Sequence, residues 1–218
     1  MDCSIIIPTY NRKKFSDLIS HNIITQDYPL IKEIIIADDG DDAERLVLNV
    51  PYTVLYYKVS RCSIGEKRNF LISKCSGYYV ACFDTDDFYH PRHLSTSIFN
   101  LMKNNKNVSG SSDMLLLSDG CTYKQRCIYL DYLNEATLVF TREYGQAHSF
   151  SNRSSSEGIG FLPTLGDIYE NEIEKIMVCV AHTSNTVSKA PWTAEKYAVD
   201  FNMDIYSDHI KLLSLAIT

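Results

Sequence analysis

Three acidic residues fall within four positions at Asp84-Thr85-Asp86-Asp87, directly after the apolar run Val80-Ala81-Cys82-Phe83. Carboxylates this close repel one another unless cations compensate. Hard oxygen ligands suit Mg²⁺ or Mn²⁺, ions that commonly bridge to a substrate phosphate. A solvated acidic turn is the plainer reading of the same residues, because aspartate favours turns. A second acidic pair, Asp38-Asp39, also follows an apolar run. A carboxylate there can accept from a base N–H or a ribose hydroxyl, whereas Asp39-Gly40 alone reads as a turn. Gly65-Glu66-Lys67-Arg68-Asn69 supplies Arg68, whose rigid fork of donors fits a phosphate or a base edge. Taken alone, that segment reads as a solvated helix face.

These clusters lie far apart in the chain, so a frame must bring them together. Residues 3–7 form a continuous apolar run closed by Pro8, the pattern of a strand buried on both faces. Residues 11–25 place Phe15, Leu18, Ile19 and Ile23 at helical spacing. Strands are expected again at 31–37, 52–59 and 78–83, a helix at 63–75, and another helix opened by Pro91. This alternation predicts an α/β fold with a mostly parallel, Rossmann-like central sheet and flanking helices. Helical crossovers would set every strand C-terminus on one edge, where ligands bind in such sheets. Pro8-Thr9-Tyr10, Asp38-Asp39 and Asp84 to Asp87 would then meet.

The rest of the chain is less regular. Strands are expected at 108–117, 136–140 and 176–181, a mobile Gly/Ser-rich loop at 149–160, and a covering helix at 203–217. His182 and Asn185-Thr186 follow the last of these strands. A lone histidine there can ligate a metal or bond to a diphosphate, or serve only as a structural hydrogen-bonder. Trp192 can stack on a sugar face or simply pack. We expect a single domain over 1–218, with a nucleotide-binding half at 1–105 and an acceptor and catalytic half at 106–218.

Of 218 residues, 21 are Lys or Arg and 27 Asp or Glu, a net charge of −6. That balance argues against a broad nucleic-acid surface. Apolar residues at 45% and charged residues at 22% are globular values and exclude a disordered chain. No apolar run approaches the ~20 residues of a membrane span. The start lacks a basic segment followed by a long apolar stretch, so no secretory signal is expected. The seven cysteines form no CxxC pair, which disfavours zinc. Cys3, Cys75, Cys82 and Cys179 sit among apolar residues and read as reduced core thiols, as in the cytoplasm.

Four segments together resemble the glycosyltransferase family 2 enzymes of GT-A fold. Ser4-Ile5-Ile6-Ile7-Pro8-Thr9-Tyr10-Asn11 is similar to that family's opening strand and loop. Glu33 to Gly40 resembles its second strand with the nucleotide-binding aspartate, and Gly65 to Asn69 its G-x-x-R-N helix. Ser76 to Asp87 resembles its strand and DxD motif. Ala136 to Tyr144 looks more loosely like the strand and helix start before the acceptor region.

The resemblance implies an inverting transferase that uses a nucleotide-sugar donor, usually a UDP-sugar, with Mn²⁺ or Mg²⁺ and a glycan or glycoprotein acceptor. By the same resemblance, Pro8, Thr9, Tyr10, Asp38, Asp39 and Arg68 line the nucleoside pocket, with Asp84 and Thr85 near the ribose or sugar. Asp86, with Asp84 and His182, would hold the metal, and Asp87 would support them. Ser156-Glu157-Gly158 falls where many relatives have Gly-Glu-Asp, so Gly158 replaces the usual base and Glu157 becomes the candidate. The chain is short for this family: it is expected to be the first domain of a longer polypeptide, an acceptor-specific short form, or a complete enzyme. Its overall shape also resembles capsid-glycosylating enzymes of large DNA viruses, which would place it in a host cytoplasm.

Two rivals remain. A nucleotidyltransferase that makes nucleotide sugars would carry a Gly-rich basic loop after the first strand, and Pro8-Thr9-Tyr10-Asn11 has no glycine. A non-catalytic binding module would keep the fold without the chemistry, and Gly158 is the residue favouring it.

Overall fold

The computed structural model describes residues 1–126, 133–162, 167–186 and 188–217. Its main sheet has seven strands. Four of them are parallel neighbours: β1 (Cys3–Thr9) lies between β2 (Ile31–Asp38) and β4 (Tyr79–Cys82), and β3 (Thr53–Lys58) flanks β2. β9 (Val139–Thr141) pairs antiparallel with β4 and with β6 (Val108–Gly110), and β10 (Ile168–Glu170) closes the far edge parallel to β6. The expected mostly parallel α/β sheet is therefore present.

The all-apolar strands are explained by packing on both faces. Ile5, Ile7, Ile34 and Ile36 point to one side, against Leu18, Ile19 and Ile23 of α1 (Ser16–Ile24), Ile98 and Leu101 of α3 (His93–Asn104), and Leu213 of α5 (Ser207–Ile217). Ile6, Ile35, Val80 and Cys82 point to the other, against Leu71 and Ile72 of α2 (Ile64–Lys74) and Tyr144 of α4 (Arg142–Ala147). Period-2 alternation thus fills two cores from one run of isoleucines. Cys3, Cys75, Cys82 and Cys179 are unpaired and buried. Among the described residues no helix is long and apolar enough to cross a membrane.

A smaller five-stranded sheet comprises β5 (Phe88–Tyr89), β7 (Asp113–Ser118), β8 (Cys121–Arg126), β11 (Met177–Val180) and β12 (Ala198–Val199). It corrects several expectations. The segment 108–117 is two strands in two sheets. The chain changes sheet at Ser111-Ser112, where the Ser111 N–H donates to Thr137 Oγ1 at 2.8 Å and the Ser111 carbonyl accepts from Asn134 N at 2.8 Å. The segment 136–140 begins as a 3-10 turn, Glu135–Thr137, capped by the Asn134 side chain, and only then becomes strand. Pro91 precedes its helix rather than opening it, since α3 starts at His93.

The loop at 149–160 is irregular but fastened to α2, not loose. Gly65 N donates to the Arg153 carbonyl at 3.0 Å, and Asn69 exchanges hydrogen bonds of 2.9 and 2.8 Å with the Phe150 backbone. A Cβ on Gly65 would lie 1.9 Å from the Ser151 carbonyl oxygen, so only glycine allows this approach.

Candidate active site

The C-terminal edge of the parallel strands opens into a cavity of about 420 Å³, within the usual range for small-molecule sites. Pro8, Thr9 and Tyr10 reach it from the end of β1, and Asp84 to Asp87 from the end of β4. Lys67 and Arg68 reach it from α2, whose first turn is set by a capping box between Ser63 and Glu66. Glu157 arrives from the fastened loop, and Asn185 and Thr186 from the segment after β11. The polar clusters expected to converge do share this edge.

The acidic pair after β2 splits by strand parity. Asp38 is buried and turned away from the cavity. Its Oδ1 accepts from Gly40 N at 2.8 Å and its Oδ2 from the Tyr56 hydroxyl at 2.6 Å. Asp38 therefore shapes the turn and is not among the residues that line the cavity. Asp39 sits behind the cavity wall, where Oδ1 accepts from Lys67 Nζ at 2.6 Å and Oδ2 from Arg61 at 3.2 Å and Cys62 N at 3.1 Å. Burial pushes the Asp39 carboxyl up, and these donors and charges outweigh it, so the group sits below the usual carboxylate range. The Arg61 guanidinium lies 3.7 Å over the Tyr10 ring, which makes a flat cationic lip at the mouth.

Arg68 is 2% exposed rather than solvated, and it holds Asp84 Oδ1 at 3.1 Å and Glu157 Oε1 at 3.2 Å. Among the described residues its buried Nη1 has no hydrogen-bond partner. Asp86 accepts from His182 Nε2 at 2.9 Å and lies 3.6 Å from Arg12. Burial raises the Asp86 carboxyl, but the His182 hydrogen bond and the Arg12 charge bring it below its ordinary value. Asp87 behaves oppositely: burial first, then the charges of Asp86 and Asp84, push its carboxyl well up. Its Oδ1 accepts from Val180 N at 2.9 Å, which links the cavity wall to β11. Thr85 is buried within the same loop.

Of the three expected metal ligands the structure pairs two, Asp86 and His182, and leaves Asp84 on Arg68. Among the described residues no three His, Cys, Asp or Glu side chains stand together as a ready metal cluster. The carboxylate and imidazole of Asp86 and His182, with Asp84 lining the same cavity, still fit Mn²⁺ or Mg²⁺, which are commonly held by one or two carboxylates plus substrate phosphates and water.

Several cavity residues escaped the sequence reading, Arg61 among them. Arg12 donates to the Ser184 carbonyl at 2.9 Å, which ties the His182 loop to β1. Lys67 is 4% exposed. Lys189 lines the same cavity; burial lowers its ammonium, and Cys179, then Asp87, Asp84 and Asp86, outweigh that and raise it. Glu135 lines the cavity from the 3-10 turn before β9, and its charge acts on Arg68. Lys67 carried a signal, its place beside Arg68 behind a capping box; the others are assembled only by tertiary contact. Trp192 does line the cavity.

Comparison with known proteins agrees with this architecture. A family model described as Glycosyl transferase family 2 matches residues 4–128. The chain is 29% identical over 101 residues to the poly(ribitol-phosphate) beta-N-acetylglucosaminyltransferase TarS of Staphylococcus aureus, covering 43% of this chain and 18% of that protein. It is 27% identical over 122 residues to the O-antigen biosynthesis glycosyltransferase WbnJ of Escherichia coli, covering 54% of this chain and 48% of that one. The matches thus span less than half the length of these relatives. The structure of S. aureus TarS 1-349 in complex with UDP-GlcNAc matches with a TM-score of 0.60 at 14% identity, over 99% of this chain and 66% of that one. Mannosyltransferase PcManGT from Pyrobaculum calidifontis in complex with GDP-Man and Mn²⁺ gives 0.61 at 14% identity, over 86% and 59%. At such identities the likeness shows the shared GT-A fold.

Proposed function

The chain belongs to glycosyl transferase family 2, and from that premise we propose that it moves a sugar from a nucleotide-sugar donor, a UDP-sugar, to an acceptor hydroxyl with inversion at the anomeric carbon. The observation that carries this reading is the meeting of Asp84, Asp86, Arg68 and Lys67 around one cavity at the sheet edge, with His182 bonded to Asp86 behind its wall. The fold likeness to structures that bind UDP-GlcNAc or GDP-Man supports a nucleoside diphosphate leaving group.

Each residue has a role that its surroundings support. Pro8, Thr9 and Tyr10 line the nucleoside end, where the Arg61–Tyr10 stack offers a flat surface to a base. Asp39 acts from behind, by holding Lys67 and Arg61 in place. Asp84 and Thr85 face the ribose or sugar. Arg68 and Lys189 bring positive charge toward the diphosphate. Asp86 and His182, with Asp84 on ion entry, would hold Mn²⁺ or Mg²⁺; the ion would neutralise charge that develops on the leaving group. The acceptor hydroxyl attacks as the anomeric carbon–oxygen bond to the diphosphate breaks, and its proton passes to a carboxylate. Two carboxylates stand at the wall for that task, Glu157 and Glu135. Positioning and charge compensation supply most of the rate gain.

Product analysis tests the proposal. Incubation with UDP-sugars and Mn²⁺ should release nucleoside diphosphate together with transferred or hydrolysed sugar. Release of pyrophosphate from a nucleoside triphosphate and a sugar phosphate would instead establish a nucleotidyltransferase. Binding without any turnover would establish a non-catalytic module.

A further inference from the structure

The carboxylates of Asp84, Asp86 and Asp87 find their compensation in different places. Arg68 holds Asp84 at 3.1 Å, and the Asp87 carboxyl, pushed well up, accepts from Val180 N. The Lys189 ammonium responds to Asp87 and Asp84 ahead of Asp86. Arg12 and His182 serve Asp86, and both approach the same oxygen: His182 Nε2 stands 2.9 Å and Arg12 Nη2 3.6 Å from Oδ2.

The chain is shaped to bring Arg12 there. Asn11 turns the end of β1 with φ at 51°, a left-handed conformation that asparagine tolerates. Its side chain fixes the turn: Oδ1 accepts from Asp41 N at 2.7 Å, and Nδ2 donates to Asp41 Oδ2 at 3.2 Å. The fully buried Phe15 lies against both partners of Asp86, its ring centre 5.6 Å from the Arg12 guanidinium and 5.2 Å from the centre of the His182 ring. Arg12 Nη2 donates to the Ser184 carbonyl at 2.9 Å, so the guanidinium is anchored to the 182–186 loop and stands beside the carboxylate without bonding to it. The Arg12 side chain is 14% exposed and lines the cavity. A fixed positive charge is thus built in next to the carboxylate that would take the ion, and it stays in place when Asp86 turns to another partner.

Asp86 and Arg12 together are neutral. A divalent ion bound there alone would face the guanidinium with an excess of positive charge. A diphosphate brings several negative charges, which the ion and the arginine fork can share. We propose that Arg12 couples the two guests, disfavouring the bare ion and favouring the ion together with the diphosphate; this rests on the metal-assisted sugar-transfer reading above. By linkage, the factor by which the diphosphate tightens the ion is also the factor by which the ion tightens the diphosphate.

Isothermal titration of Mn²⁺ into the protein tests this, with and without saturating UDP or GDP, which carry the diphosphate and no sugar to transfer. The wild type should bind Mn²⁺ at least about 10-fold more tightly with one of these nucleotides than without it. Arg12→Met should bind bare Mn²⁺ about 10-fold more tightly than the wild type, and the gain from nucleotide should shrink by a similar factor. Arg12→Gln, which can still donate to the Ser184 carbonyl, should do the same. Arg12→Lys, which keeps the charge, should stay close to the wild type. Damage to the loop would weaken the bare ion instead, a change of opposite sign. Bare Mn²⁺ affinity in the two neutral variants within about threefold of the wild type, or weaker than it, would overturn the proposal. So would a wild type that binds Mn²⁺ equally well with and without nucleotide. If Mn²⁺ binds the wild type neither alone nor with UDP or GDP, the metal-assisted reading itself falls, and this proposal with it.

Discussion

Replacing Lys67 by Met removes one ammonium and keeps most of the side-chain volume. Lys67 is 4% exposed, and the Asp39 carboxylate it meets at 2.6 Å is fully buried. The same ammonium donates to the Thr9 carbonyl at 3.0 Å. In the variant, Asp39 keeps Cys62 N at 3.1 Å and Arg61 at 3.2 Å, but the Arg61 side chain is 65% exposed and its charge is partly screened. Breaking a buried ion pair from one side costs ~3–5 kcal/mol, and the two surviving partners argue for the lower figure, ~3 kcal/mol. For a chain of this length each kcal/mol moves Tm by ~2–4 °C, so Tm should fall by ~6–12 °C. Adding Asp39→Asn removes the stranded charge, so the double variant should be more stable than the sum of the single changes by ~1 kcal/mol or more. Thermal melts followed by circular dichroism read both quantities. A Lys67→Met melt within about 2 °C of wild type would mean that less than ~1 kcal/mol was lost, and would refute the pair as the fastener between β2 and α2.

Other outcomes follow from the same structure. Burial and the neighbouring His21 push His209 down to about 4, against the opposing charge of Asp208, and burial with His90 pushes His93 down to about 3. Both folded values lie below the unfolded value of roughly 6.5, so the unfolded chain binds more protons between them. The stability each contributes is full above about pH 6.5 and is lost as pH falls toward the folded values, by up to ~1.4 kcal/mol per pH unit per histidine. Urea midpoints at pH 7, 6 and 5 should decline, and His209→Phe should flatten the decline; a flat wild-type profile would contradict this. Gly65→Ala would press a Cβ to 1.9 Å from the Ser151 carbonyl oxygen. It should loosen the 149–160 loop and weaken donor binding, seen as faster amide exchange at Ser151 and Arg153; unchanged exchange and binding would contradict the fastening. Asp86→Asn should abolish the Mn²⁺-dependent part of donor binding and leave the Mn²⁺-independent part; a variant that still responds fully to Mn²⁺ would remove Asp86 from the metal site.

Much of the frame was legible because its strands are buried on both faces. Cys3 to Pro8, Ile31 to Asp38 and Val80 to Phe83 have no polar alternation to confuse with a helix, and each ends in a polar cluster. The smaller sheet was not legible. β5 and β12 are two residues long, too short for any period. The β7–β8 hairpin carries a local sign, Asp119-Gly120, both at positive φ, a tight-turn pair between strands. The break between β6 and β7 is hidden because Val108 to Leu117 contains apolar residues on both sides of the buried Ser111 and Ser112.

The site divides in the same way. Asp84 and Asp86 declare themselves by spacing. Asp38 and Asp39 are chemically identical neighbours, and only strand parity sends one to Tyr56 and the other to Lys67. Arg12, Lys189 and Glu135 reach the cavity through contacts between distant segments, as when Arg12 meets Ser184 across 172 positions. No local pattern encodes such a meeting.

The central claim is that this sheet edge grips a nucleotide sugar with the help of a divalent cation. A thermal-shift panel of UDP-, GDP- and dTDP-sugars, each with and without Mn²⁺, tests it most directly. A ligand at 100 times its Kd stabilises the folded chain by ~2.7 kcal/mol. We predict that a UDP-sugar with Mn²⁺ raises Tm by ~5–10 °C, and that omitting Mn²⁺ removes most of the rise. A panel in which no nucleotide sugar shifts Tm, with or without the ion, would contradict the claim.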